Sequence, residues 1–242
     1  MLDTYVQNLH HLIDQISTSQ ANAIQEAAQL AADSITDGGV LHVFGSGHSH
    51  MIAEDIFHRA GGLACVNAML EDSLMELNFG RATSLERLSG YAEVLLEGYA
   101  LQESEVIIVI SNSGINSVPI EVAMESRKRG LKVVAITSVE HSTKAASRHP
   151  SGKKLFDVAD IVIDNCGVLG DATIQLQGMK QKIGPTSTIG GILIAQAIII
   201  EIIGRLLQRN IVPPIFISAN QDEGDSNNKE LFERYKNQVR YA

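Results

Sequence analysis

Val106-Ile107-Ile108-Val109-Ile110-Ser111-Asn112-Ser113-Gly114-Ile115-Asn116-Ser117 is the stretch on which the fold turns. Its opening run of branched aliphatics has no polar face, which suits a central parallel strand covered by helices on both sides. The run stops at a turn of Ser, Asn and Gly, and Ser117 with Pro119 is suited to opening a helix, read here as Ser117 to Arg129. Gly130 then falls at the C′ position, and Lys132 to Thr137 is again β-favouring. Strand, crossover helix and strand follow in the order a parallel sheet requires.

The same alternation extends both ways. Upstream, Val40 to Phe44 reads as a buried strand bounded by glycines, followed by a helix from about His50 to Arg59 that Gly61-Gly62 stops. Leu63 to Leu70 is the second strand candidate, and Ser84 to Leu101 is helical by period. Downstream, Ile161 to Ile163 is the last strand, and a long helix runs from about Ser187 to Gln208 after Gly184-Pro185. From Asp3 to Thr36 apolar residues recur at three and four, giving one long helix or two in tandem. Gln221 to Asn228 reads as a polar loop and Lys229 to Val239 as a short amphipathic helix. No repeat or low-complexity linker divides the chain. The expectation is one domain over 1–242, with N-terminal helices at 1–37, an α/β core at 38–210 and a tail at 211–242. Its class is α/β, a three-layer, doubly wound parallel sheet whose ligands sit at the carboxyl ends of the strands.

With 45% hydrophobic and 19% charged residues, the chain is far too apolar to be disordered. Nineteen Lys and Arg against 28 Asp and Glu give a net charge of -9, so no global positive field attracts nucleic acid or anionic lipid. An anionic ligand has to be held by local groups. Cys65 and Cys166 suggest neither a disulfide framework nor a zinc cluster. The first residues lack a basic segment followed by an apolar one, and the most apolar run, Ile192 to Ile203, is twelve residues, too short to cross a membrane. A cytoplasmic protein with no membrane and no nucleic-acid partner is expected.

Two loops after strands carry the chemistry. In Gly45-Ser46-Gly47-His48-Ser49 the glycines let the backbone turn sharply and approach a ligand. The loop lacks the third glycine of a dinucleotide site and the Gly-Lys-Ser/Thr of a P-loop, which disfavours both. In the second loop, Ser111, Asn112, Ser113, Asn116 and Ser117 can all donate hydrogen bonds without positive charge. Hydroxyls, amides and helix N–H groups that converge make a neutral phosphate cradle; the plainer alternative is a Ser/Asn-rich turn that caps a helix.

These two loops, with Gly184-Pro185-Thr186-Ser187-Thr188 opening the late helix, resemble in combination and order the sugar isomerase (SIS) domain over about residues 35–210. The runs HVFGSGHSHMIAEDIFHRAGG and ISNSGINSVPIEVA further resemble the UPF0309 group of bacterial SIS proteins along the whole chain. The resemblance implies a five-stranded, flavodoxin-like parallel sheet, a homodimer or homotetramer, and a small phosphosugar as ligand. It places Ser49, Ser111, Asn112, Ser113 and Gly114 around the sugar phosphate, with Ser187 and Thr188 close by; Gly45, Ser46, Gly47 and Asn116 are further substrate-binding candidates. Many SIS loops have Thr where this chain has Asn116, whose amide donates a hydrogen bond in a different way.

Sugar-phosphate isomerisation needs a base beside the carbonyl and an acid for the oxygen. His50, Glu54 and His58 follow one another at spacings of four, which puts them on one helical face, with His48 just before them. One reading makes Glu54 the base and His58 or His48 the acid, with Glu71, Asp72 and Glu76 after the second strand as further candidates. The resemblance to phosphoheptose isomerases implies an alternative, zinc on His50 and Glu54. The late helix has no His to complete such a site, so no metal and no cofactor is the expected reading. His10 and His11 read as surface positions, His42 as a satisfied core residue, and Lys144, Arg148, Lys153 and Lys154 as a local basic cluster. The expected function is an aldose–ketose isomerase; the alternatives are a non-catalytic phosphosugar-sensing module and a lyase of the N-acetylmuramic acid 6-phosphate etherase type.

Overall fold

The computed structural model describes residues 1–78, 80–222 and 224–240. Five parallel strands, β1 (Leu41–Gly45), β2 (Val66–Met69), β3 (Val106–Ile110), β4 (Lys132–Thr137) and β5 (Ile161–Asp164), form one sheet in the order β2-β1-β3-β4-β5. The helices are α1 (Leu2–Ser19), α2 (Ala21–Thr36), α3 (His50–Ile56), α4 (Arg81–Glu86), α5 (Tyr91–Glu97), α6 (Ser117–Lys128), α7 (Val139–Lys144), α8 (Leu155–Val158), α9 (Ser187–Gln208) and α10 (Gly224–Tyr235). Side chains alternate across each strand. Ile108, Ile110, Val134, Ile136 and Ile163 meet residues of α2 and α9 on one face, while Ile107, Val109, Val133 and Ala135 meet α5 and α6 on the other. Both faces are therefore covered, as the apolar run of β3 requires, and the layers are three.

The strand order positions the site. After β1 the chain builds β2 on one side, then returns to place β3 to β5 on the other. The carboxyl ends of β1 and β3 thus flank the crevice where ligands of doubly wound folds bind.

Several element boundaries differ from expectation. The N-terminal helical stretch is two helices broken at Gln20, whose side-chain oxygen accepts the Asp164 N–H at 3.0 Å and pins the break to β5. The helix from His50 ends at Ile56: Phe57 is extended and His58 has φ +44°. Hence His58 is not on one face with His50 and Glu54. The stretch from Ser84 is α4 and α5, separated at Gly90, which has φ +88° and gives its N–H to the Glu121 carboxylate at 2.8 Å. Leu63 lies outside β2 and bridges Ile215 instead. Helix α10 starts at Gly224, inside the segment read as loop. An antiparallel hairpin, β6 (Ala172–Gln175) and β7 (Lys182–Pro185), precedes α9 without any apolar run to announce it.

The twelve apolar residues judged too short for a membrane belong to α9, which has 22 residues and a mean hydropathy of 1.9 over its most apolar window. By length and composition it can cross a membrane, which corrects that reading. In the fold its Ile194, Ile198, Ile202 and Leu206 are buried in the core, and at Gly191 a Cβ would fall on the Ile52 side chain of α3. Ile200 and Leu207 on its other side are exposed.

His42 is the satisfied core residue expected. Asn67 uses its oxygen to accept the Arg240 N–H at 3.0 Å, so its amide nitrogen donates to His42 Nδ1 at 3.0 Å and His42 Nε2 faces Glu105 at 2.8 Å.

Candidate functional site

The first loop folds back tightly on the end of β1. A Cβ at Gly45 would fall on the Ser49 carbonyl, and Gly47 has φ +54°, so both positions suit glycine. Ser49 donates its N–H to the Ser46 carbonyl at 3.0 Å, closing a short 3-10 turn. His50, buried, is hydrogen-bonded through Nδ1 to the Gly47 carbonyl, and so holds the turn from below. His48 and Glu76, both exposed, meet at 3.4 Å on the rim.

The second loop is held by its own side chains. Ser111 Oγ accepts the Gly114 N–H at 3.2 Å, and Gly114 has φ +62°, where a Cβ would approach Thr137 Oγ1 to 2.8 Å. Asn112 Oδ1 accepts from Asn165 at the end of β5 at 2.9 Å, and its carbonyl accepts the Ser138 N–H at 3.0 Å. These contacts tie the loop to the ends of β4 and β5. Among the described residues the hydroxyls of Ser49, Ser113 and Thr188 have no hydrogen-bond partner. No side chain caps the start of α6, whose first residues Ser117 and Val118 are buried and whose Pro119 has no N–H.

Helix α9 is different. Asp171, at φ +67° in the turn before β6, accepts the Thr186 N–H at 3.0 Å, the Ser187 N–H at 2.8 Å and the Ser187 hydroxyl at 2.7 Å. The positive end of α9 already carries an internal anion. Ser187 is therefore engaged within the protein, whereas Thr188 is not. Of the two long helices at this edge, α9 starts on an internal carboxylate and α6 has no side-chain cap.

One residue that the sequence did not single out joins both loops. Glu86, the last residue of α4, accepts from the Ser46 hydroxyl at 2.7 Å and from the Asn116 amide at 2.8 Å. Asn116 in turn accepts from Arg148 at 2.8 Å. Burial pushes the Glu86 carboxyl above its usual range, and the hydrogen bonds from Ser46 and Asn116 and the charges of Arg148 and Arg87 pull part of the way back. Arg148 also corrects the picture of a wholly neutral cradle, because its guanidinium reaches the rim of the second loop. Of the basic cluster, Lys144 pairs with Glu140 at 2.7 Å and only Arg148 touches a residue of that loop's site set. No motif marks Glu86; the available signal was an acid near the end of a helix that follows the second strand.

The other acid and base candidates are dispersed. Glu54 is solvent-exposed and lies 3.8 Å from His50 Nε2. His58 packs against Phe216 at 5.0 Å and Phe232 at 4.9 Å, in an aromatic group with the C-terminal segment. Glu71 accepts from Ser73 at 2.7 Å and from the Tyr91 hydroxyl at 3.0 Å. For the zinc alternative, no group of three His, Cys, Asp or Glu side chains able to hold a metal occurs among the described residues; His50 and Glu54 stand as a pair.

A family model described as the SIS domain matches residues 4–138, more than half of the chain. The chain belongs to the SIS domain family. The SIS match takes in the N-terminal helices and both Ser/Gly loops, and it ends before Asp171 and α9. SIS relatives named as UPF0309 proteins include one from Caldanaerobacter subterraneus subsp. tengcongensis, 44% identical over 246 residues and 100% of both chains. Another, from Halalkalibacterium halodurans, is 43% identical over 96% of each chain. Among solved structures, phosphoheptose isomerase from Neisseria gonorrhoeae shares the SIS fold at a TM-score of 0.59 and 14% identity, over 84% of this chain and 97% of that one. The NanR protein of Vibrio vulnificus, solved with ManNAc-6P, matches at a TM-score of 0.52 and 14% identity, over 96% of this chain and 68% of that one.

Proposed function

We propose that this SIS protein binds a sugar phosphate at the carboxyl edge of β1 and β3 and isomerises it between aldose and ketose forms. The observation that carries the reading is the pair of unpartnered, half-buried hydroxyls, Ser113 beside the uncapped start of α6 and Ser49 on the facing loop. Uncapped N–H groups and hydroxyls hold a phosphate dianion without lysine, which an acidic chain with a net charge of -9 needs. The phosphate is assigned to Ser49, Ser111, Ser113, Gly114 and the first turn of α6, and the sugar to the space toward Glu86 and Thr188. A homodimer in the cytoplasm is part of the same reading. The exposed Ile189, Ile200 and Leu207 of α9 support self-association.

A thermal-shift series with pentose, hexose, heptose and amino-sugar phosphates tests the binding. A ligand at 100 times its dissociation constant adds about 2.7 kcal/mol of stability, and Ser113→Ala is expected to cut the response. If none of these compounds raises the melting temperature, the reading falls. The second reading, sensing without turnover, is favoured by the likeness to NanR, solved with a sugar phosphate. Deuterium uptake from D2O at the carbon beside the carbonyl separates the two, because a sensor binds without exchange.

A further inference from the structure

We infer that Glu86 is the proton carrier of the site, the group that moves hydrogen between neighbouring carbons of the bound sugar. The inference rests on the sugar-phosphate reading above and names a residue for it. Among the acids near the two loops, Glu86 alone is held by both: Ser46 after β1 at 2.7 Å and Asn116 after β3 at 2.8 Å. Those two strands flank the crevice, so the carboxylate stands where the strand order reverses. Its two oxygens are fixed by one donor each, which leaves further lone pairs free to accept a proton from a ligand.

The remaining acids fit the role less well. Glu54 and Glu76 are solvent-exposed, and Glu71 is turned to Ser73 and Tyr91. Burial, which raises this carboxyl above its ordinary range, also makes its carboxylate a stronger base than an exposed one. The charged groups on neighbouring elements leave that setting to few partners. Arg148 reaches Glu86 through Asn116, and Arg87 follows it in sequence. On α6, packed against α4, Glu121 is taken up by His149 at 3.4 Å and the Gly90 N–H at 2.8 Å. Asp72 lies on the turn before α4, where its carbonyl accepts from Asn78 at 2.6 Å.

The chemistry balances without a co-reactant other than water. The Glu86 carboxylate takes the proton from the carbon beside the carbonyl, and the C–H electron pair becomes the second bond of an enediol as the carbonyl oxygen takes a proton from water. The carboxyl then returns its proton to the former carbonyl carbon, while the neighbouring hydroxyl gives its proton back to water. Hydrogen has moved by one carbon and nothing has been oxidised or reduced overall.

The test uses the intact protein with ribulose 5-phosphate, fructose 6-phosphate and sedoheptulose 7-phosphate as probes. In Glu86→Gln the thermal shift produced by the responsive probe is expected to remain, while carbon-bound deuterium uptake falls by about 100-fold or more. In Arg148→Met, which leaves the carboxylate in place, the acid limb of exchange is expected to move to higher pH, because a charge favouring the ionised form is gone. Undiminished exchange in a folded Glu86→Gln, or an acid limb that does not move in Arg148→Met, overturns the assignment and leaves the binding reading standing. A wild-type protein that no probe stabilises and that catalyses no exchange overturns both.

Discussion

Glu105 shows what a single buried acid does at the opposite edge of the sheet. It is only 2% exposed, and it accepts from the N–H of Val40 at 3.0 Å, the N–H of Gln102 at 2.8 Å and His42 at 2.8 Å. Burial alone would raise its carboxyl, but the hydrogen bonds from His42, Gln102 and Val40 outweigh burial and hold it below the usual range. A carboxylate lowered on folding contributes stability that is complete above its unfolded value and is lost as pH falls through the folded one. The melting temperature is therefore expected to drop below about pH 4.5 in the wild-type protein, and to drop less in Glu105→Gln. That variant is also expected to lose about 1–3 kcal/mol at neutral pH, since buried donors lose their partner. Equilibrium unfolding across the pH range checks both. His42 was legible as a core residue from its place in an apolar strand. Its carboxylate partner lies 63 positions away, and no local pattern links the two.

At the scale of elements, the strands and α9 were readable because their signals are local. A run such as Val106 to Ile110 is apolar at every position, and Ser187 to Gln208 begins and ends where its sequence says. The helical breaks were not readable, because they depend on what a distant residue offers. Gly90 leaves the helical path when Glu121 takes its N–H, and β6 and β7 pair with each other through their backbones without a buried stripe. The contrast between α6 and α9 has the same origin, because Asp171 caps one helix start and no side chain caps the other. Asp171→Ala is expected to cost about 1 kcal/mol, the usual worth of a cap, and to open a second anion site at α9. Inorganic phosphate should then raise the melting temperature of the variant more than that of the wild-type protein.

For the whole molecule, a net charge of -9 provides no overall positive field to attract polyanions, and a single phosphate held by amides and hydroxyls needs none. With Arg148 at the rim, binding is expected to weaken modestly with salt rather than not at all. The exposed side of α9 bears on the other proposed property, self-association. Replacing Ile200, which is 66% exposed, by Glu is expected to leave the fold intact and shift any self-associated form toward the monomer, as read by sedimentation velocity. Unchanged sedimentation would place self-association elsewhere.

Sequence by itself determined the layered α/β class, the strand-end loops and the SIS family, because periodicity, glycine turns and motif order are written in neighbouring residues. Tertiary structure alone decided which of those groups work together. It brought Glu86 to Ser46 and Asn116, took His58 into an aromatic group and gave Ser187 to Asp171. Hydrogen-bond partners and burial are properties of residues far apart in the chain, and they exist only once the strands have been brought side by side.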